Sequence, residues 1–155
     1  MANEAESVRR DRVFVEKSQL ERYREFAGLG VALHTKGRGA NLPPFQDLKD
    51  VFMAAVCVGL RGARPAPLRN RQELTRTSYF TEQGQMAVLR SIAIAETGEA
   101  EVIADENRTL SIAEEYASVG FEELSHRLLG PGQPLANLAA MLAELHQLPE
   151  ESVEQ

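Results

Sequence analysis

The chain has 155 residues, a formal net charge of −6, 43 % hydrophobic and 26 % charged content, which excludes a collagen-like or wholly disordered chain and fits one domain with a core of its own. Its densest apolar run, Val51–Leu60, is about half the ~20 residues a membrane-spanning helix needs, and the acidic start Met1–Glu6 lacks the apolar stretch of a secretory signal. The single cysteine, Cys57, leaves no internal disulfide to form and fits a reducing cytoplasm.

Residues 1–8 read as a flexible tail, 9–148 as a single helical domain and 149–155 as an acidic tail. Arg12-Val-Phe-Val15 is β-prone with Val13 and Val15 on one side, which predicts a short strand. Ser18-Gln-Leu-Glu21 has capping-box spacing, in which the two side chains satisfy free backbone N–H groups reciprocally. Leu20, Tyr23, Phe26 and Ala27 then carry a helical stripe to Gly28. Val31–Pro44 lacks periodicity and reads as a long loop, with room for a brief strand at Val31–His34.

Pro44 opens the next expected helix, and Asp47 and Asp50 suit its positive end. Leu48, Val51, Phe52, Ala55, Val56 and Gly59 keep helical spacing, while Met53, Ala54, Cys57 and Val58 make the other faces apolar too. Such a helix is expected inside a core or an oligomer interface, with Cys57 as a core residue. Gly62, Pro65 and Pro67 end it, and Ala66–Phe80 reads as a connection. Thr81-Glu-Gln caps a helix continued by Val88, Leu89, Ile92 and Ala93 and stopped at Thr97-Gly98. After the short apolar patch Val102-Ile103, Leu110, Ala113, Tyr116 and Ala117 mark one helix stopped near Gly120. Phe121, Leu124 and Leu128 mark another, stopped by Gly130-Pro-Gly. Pro134 opens the last, through His146, with Leu135, Leu138, Leu142 and Leu145 as its stripe. The pattern predicts a mainly α, compact multi-helix domain with at most one or two short N-terminal strands.

The charge is split. Residues 1–76 carry 14 Lys/Arg against 9 Asp/Glu, and residues 77–155 carry 3 against 14. Arg61, Arg64, Arg69, Arg71 and Arg76 are accompanied by one acid, Glu73; Arg9, Arg10 and Arg12 form a second basic group, and Lys36 with Arg38 a third. These arginines must find carboxylates of the acidic half, a partner protein or phosphate. The candidate partner- or nucleic-acid-binding residues are Arg61, Arg64, Arg69, Arg71, Arg76, Arg10, Arg12, Lys36 and Arg38. The order strand, helix, helix also resembles a ribbon-helix-helix unit, in which two chains pair strands and Arg10 and Arg12 would read the major groove.

The residues point to no catalytic, metal or cofactor site. The Glu-x-x-His spacing at Glu123 and His126 occurs once, where a di-metal bundle needs it twice, so His126 is expected as a helix-end histidine. Cys57 has no basic neighbour to activate it. Thr35-Lys-Gly-Arg-Gly39 has the composition of a phosphate loop without its spacing. Glu114-Glu115 and Glu122-Glu123 are expected on a solvated face.

Two stretches carry a family resemblance. Asp50-Val-Phe-Met-Ala-Ala-Val-Cys-Val-Gly-Leu60 is followed by Arg64-Pro-Ala-Pro-Leu68. Arg90-Ser-Ile-Ala-Ile-Ala-Glu-Thr-Gly98 continues through Ile112-Ala-Glu-Glu-Tyr-Ala-Ser-Val-Gly-Phe-Glu-Glu-Leu124. Together they resemble dnd system-associated protein 4, a family encoded beside bacterial DNA phosphorothioation and restriction genes. The resemblance covers roughly residues 10–130, leaving the helix at Leu135–His146 and the glycine-rich Val31–Pro44 as departures. It implies an accessory component of an anti-phage defence locus, acting on or near DNA, and supplies no catalytic residue, in keeping with the non-enzymatic, cytoplasmic reading of the residues themselves. Its expected partners are other proteins of that locus, double-stranded DNA and further copies of itself, with no membrane and no cofactor. The alternative is a DNA-binding protein or transcriptional repressor using the basic N-terminal half.

Overall fold

The computed structural model describes residues 8–29, 42–62 and 64–146, the side chains of residues 145 and 146 excepted. Its elements are β1 (Arg12–Glu16), α1 (Leu20–Phe26), α2 (Leu48–Gly62), β2 (Arg71–Arg76), α3 (Gln85–Thr97), α4 (Glu106–Leu128) and α5 (Pro134–His146). Short 3-10 turns precede α1, follow β2 and lead into α4. The fold is mainly α, as the pattern predicts. Residues 1–7 and 149–155 of the expected tails, and the expected strand Val31–His34, lie outside the described residues.

β1 forms where the sequence places it, with Val13 and Val15 buried. Its partner is the surprise. Arg71–Arg76 lies inside the segment read as a connection, and pairs with β1 antiparallel, Arg12 opposite Arg76 and Glu16 opposite Arg71. A register shift between Val13 and Phe14 leaves Leu74 as the extra residue of a bulge, and Leu74 is the strand's buried side chain. One apolar residue in six gives no alternation to read, and the pairing itself makes the strand.

The expected capping box at Ser18 does not form. The ribbon carries the chain into a 3-10 turn at Lys17–Gln19, so Ser18 never reaches the cap position. Gln19 is buried instead, its Nε2 donating to the Ser118 carbonyl at 2.9 Å and to Glu122 Oε1 at 3.0 Å. α1 docks by its aromatic side: Tyr23 stacks on Phe121 at 4.1 Å, and Phe26 meets the same ring at 5.9 Å.

α4 is one helix where the sequence suggests two. Gly120, a stop signal by sequence, instead serves a close backbone approach to α2. A Cβ on Gly120 would lie 1.9 Å from the Ala55 carbonyl oxygen, and one on Gly59 2.1 Å from the Tyr116 carbonyl oxygen. The two glycines let the helices cross backbone against backbone. Around the crossing α2 buries Val51, Phe52, Ala55 and Val56, with Phe52 edge-on to Phe80 at 6.1 Å. Its opposite side is uncovered: Leu60 and Cys57 are exposed, so Cys57 is not the core residue its apolar neighbours suggest. The helix begins at Leu48 rather than Pro44, with the Asp47 carbonyl accepting from the Asp50 and Val51 N–H groups.

α3 starts one turn after Thr81, whose N–H and hydroxyl both donate to Gln85 Oε1. It ends on Gly98 in the left-handed conformation, φ 70°, as the Thr97-Gly98 signal implies. α5 has the bounds its sequence predicts. It leans on α4 through Met141 and Leu138, and Asn137 Nδ2 donates to the carbonyls of Leu128 and Gly130 at the end of α4. Among the described residues, no helix is long and apolar enough to cross a membrane.

Candidate functional site

The strongest electrostatic feature is Glu114, whose side chain is 2 % exposed. Expected on a solvated face, it lies on the buried stripe of α4, four residues after Leu110 and three before Ala117. Its Oε2 accepts from the Arg10 guanidinium and, at 2.6 Å, from the Phe14 N–H; its Oε1 lies 3.4 Å from the Arg71 guanidinium. Arg10 also donates to Ser111 Oγ at 3.1 Å, and its backbone N–H to Asn107 Oδ1 at 2.8 Å. Both guanidiniums lie over the Phe14 ring, Arg10 at 5.2 Å and Arg71 at 4.6 Å from its centroid. Burial pushes the Glu114 pKa above the usual carboxylate range; the Arg10 hydrogen bond, the Phe14 N–H and the two positive charges only partly offset it.

The candidate arginines divide around this cluster. Arg10 and Arg71 pair with Glu114, and Arg12 pairs with Glu73 at 2.7 Å across the ribbon and with Asp11 at 3.1 Å. Arg9 reaches Glu106 at 2.6 Å. Arg61, Arg64, Arg69 and Arg76 are exposed and have no ion pair among the described residues. Lys36 and Arg38 lie outside the described residues.

The connection bearing Arg64 is held against α4: the Ala66 N–H donates to the Glu115 carbonyl at 3.2 Å, and Ser118 Oγ donates to the Ala66 carbonyl at 3.0 Å. Residues 61–62 and 64–71 therefore lie along one flank of α4, from the Glu123 end back to Glu114. At the Glu123 end Arg61 lines a cleft of about 280 Å³ with Arg127, Met141 and Glu144. Where the segment turns into β2, the Arg69 and Asn70 N–H groups both donate to the Glu16 carboxylate, at 2.9 and 2.8 Å. Arg76 sits at the other end of β2.

This geometry corrects the ribbon-helix-helix reading. The partner of β1 is β2 of the same chain, the Phe14 N–H is taken by Glu114, and Arg10 and Arg12 are held by acids of their own chain. Glu122, Glu123 and His126 are exposed, with His126 in the last turn of α4. Partial burial pushes the Cys57 thiol up, the direction opposite to that of a nucleophile.

A mainly α domain, pinned by a buried ionic cluster and carrying exposed guanidiniums with no ion pair among the described residues along a helix flank, is what the fold and this surface define. The chain belongs to the DNA sulphur modification system-associated protein 4 family, whose model matches residues 22–155, and is thereby associated with a DNA sulphur modification system. The match takes in residues 31–44 and α5, both left outside the resemblance seen in the sequence, and begins after β1. Comparisons with curated proteins and with solved structures give no match.

Proposed function

We propose that this protein is a non-catalytic accessory component of a DNA phosphorothioation-linked anti-phage defence system, an adaptor acting in the cytoplasm through protein–protein contacts near DNA. The observation that carries the reading is the unequal pairing of the arginines. Three of the candidates, Arg10, Arg12 and Arg71, are consumed by the fold, while Arg61, Arg64, Arg69 and Arg76 are exposed with no carboxylate partner among the described residues. Spaced guanidiniums of this kind suit an acidic surface on another protein of the same system. The non-catalytic reading is supported by the commitment of Glu114, the one buried carboxylate among the described residues, to two guanidiniums and an N–H group.

Direct DNA binding, including a repressor role, is the second reading, because the same exposed guanidiniums suit phosphate. The net charge of −6 does not forbid it, since repulsion is screened over ~8 Å at physiological salt. It ranks second because backbone N–H groups commonly help hold phosphate, and those of Arg69 and Asn70 already serve Glu16.

The test replaces Arg61, Arg64, Arg69 and Arg76 by Glu together, leaving the Glu114 cluster intact. The adaptor reading expects an unchanged melting curve and loss of the locus proteins co-purified from the host. Loss of DNA retention alone, with a shallower salt dependence in the residual binding, transfers the surface to DNA. Retention of both sinks both readings.

A further inference from the structure

The two edges of the β1–β2 ribbon differ. The Lys17 N–H donates to the Asn70 carbonyl at 2.8 Å, and the Thr77 N–H to the Asp11 carbonyl at 3.0 Å. With the register between them, these bonds make Val15–Gln72 and Val13–Thr75 the pairs that face each other through the ladder. The residues in between turn their backbone groups outward. On β1 the outward Phe14 N–H goes to Glu114, so α4 closes that edge. On β2 the outward groups are the N–H and C=O of Arg71 and Glu73 and the N–H of Arg76. None of these has a hydrogen-bond partner among the described residues, and all three residues are exposed.

An open strand edge is a template for another strand, and charge decides which strand fits this one. Arg69, just before β2, and Arg76, at its end, are exposed with no ion pair among the described residues. Glu73 between them is held by Arg12 across the ribbon. The edge therefore suits a strand with a carboxylate near each end and none in the middle. A second copy's β2 would bring arginines of its own, and its one acid, Glu73, is already paired. A nucleic acid would bring phosphates but no row of alternating N–H and C=O groups to continue the ladder.

We infer that β2 takes up an extended segment of a partner protein as a third strand of the ribbon. The segment's main chain bonds to Arg71, Glu73 and Arg76, and an acidic side chain near each of its ends faces Arg69 and Arg76. In this mode of recognition the ladder supplies the affinity and the side chains supply the selectivity. The inference rests on the adaptor reading and gives that contact its form, since it requires backbone pairing where the adaptor reading requires only the guanidiniums.

The probe is a short capped peptide with glutamate at both ends and threonine and valine between, titrated into the isotope-labelled full chain. Binding should slow amide hydrogen exchange at Arg71, Glu73 and Arg76 and leave Gln72 and Thr75, already in the ladder, unchanged. Glu73→Pro deletes an outward N–H, the position at which an edge strand tolerates proline, and should weaken binding about fivefold. Glu73→Ala loses the same ion pair but keeps the N–H, and should not. A measurement on the unaltered protein guards against a fold defect in the proline variant: methylating one alternate set of the peptide's N–H groups should abolish binding, and methylating the other set should spare it. Absence of binding, binding that survives both methylation patterns, or equal binding of a lysine-ended peptide overturns the inference. So does protection of the same amides on concentrating the protein alone, which assigns the edge to a second copy. Locus proteins that still co-purify with Glu73→Pro, but not with the variant carrying Glu at all four exposed arginines, remove the edge while leaving the adaptor reading in place.

Discussion

Arg71 and Arg69 lie two residues apart in the same basic run, yet they belong to different parts of the protein's physics. Arg71 covers the Phe14 ring and reaches the buried Glu114, so its charge helps hold the ribbon to α4. Arg69 contributes its backbone N–H to Glu16 and leaves its guanidinium in solvent. Composition cannot separate them. A carboxylate on the facing helix does, and the positions of such carboxylates are set by the fold. An arginine cluster is thus a mixture of fasteners and free contacts.

That distinction can be broken most directly at Glu114. Glu114→Ala leaves Arg10 and the Phe14 N–H without their shared acceptor, and breaking a buried pair of this kind costs about 3–5 kcal/mol. Urea unfolding measures it, and a loss below ~1 kcal/mol would return Glu114 to the surface charges. The cluster should also show in the pH dependence. Burial raises the Glu114 pKa in the folded state, so the native protein binds the proton more tightly than the unfolded chain. Its contribution to stability is greatest below the ordinary carboxylate pKa and falls as pH rises through the raised one. Wild-type stability should accordingly fall relative to Glu114→Gln across that window, and the opposite slope contradicts the burial argument.

Smaller effects sharpen the division. Arg71→Ala removes a half-exposed pair and a cation–π contact, worth together about 1 kcal/mol. Arg12→Ala removes an ion pair on the open side of the ribbon and should cost ~0.5 kcal/mol. Arg64→Ala and Arg69→Ala, which leave the backbone bonds in place, should each stay within ~0.5 kcal/mol of wild type. If Arg69→Ala destabilised as much as Arg71→Ala, the two classes would merge.

Helices with a capped end or a regular stripe were legible in the sequence. α5 has its predicted bounds, because Pro134 and the leucine spacing are local signals. β1 was legible from its two buried valines, whereas β2 was not, because Leu74 alone marks its inner face. Gly120 misled for a related reason. A glycine in a helical pattern marks either an end or a close neighbour, and the neighbour here is Gly59, far away in the chain. Of the candidate surface, the sequence named the right residue type but could not sort it. The sequence does carry a signal for the cluster: Glu114 occupies an apolar position of the α4 stripe, a register that its adjacency to Glu115 masks.

The crossing of α2 and α4 also constrains how this molecule can move. Packed helices ordinarily shear by small steps, with interdigitated side chains taking up the displacement. At Gly59 and Gly120 no side chains intervene, and carbonyl oxygens sit where a Cβ would stand. Sliding or rolling there would drive one main chain into the other, so the two helices must travel as a single strut. Any mechanical signal from a partner must then pass through the parts hung on that strut, with the ribbon at one end and α5 at the other.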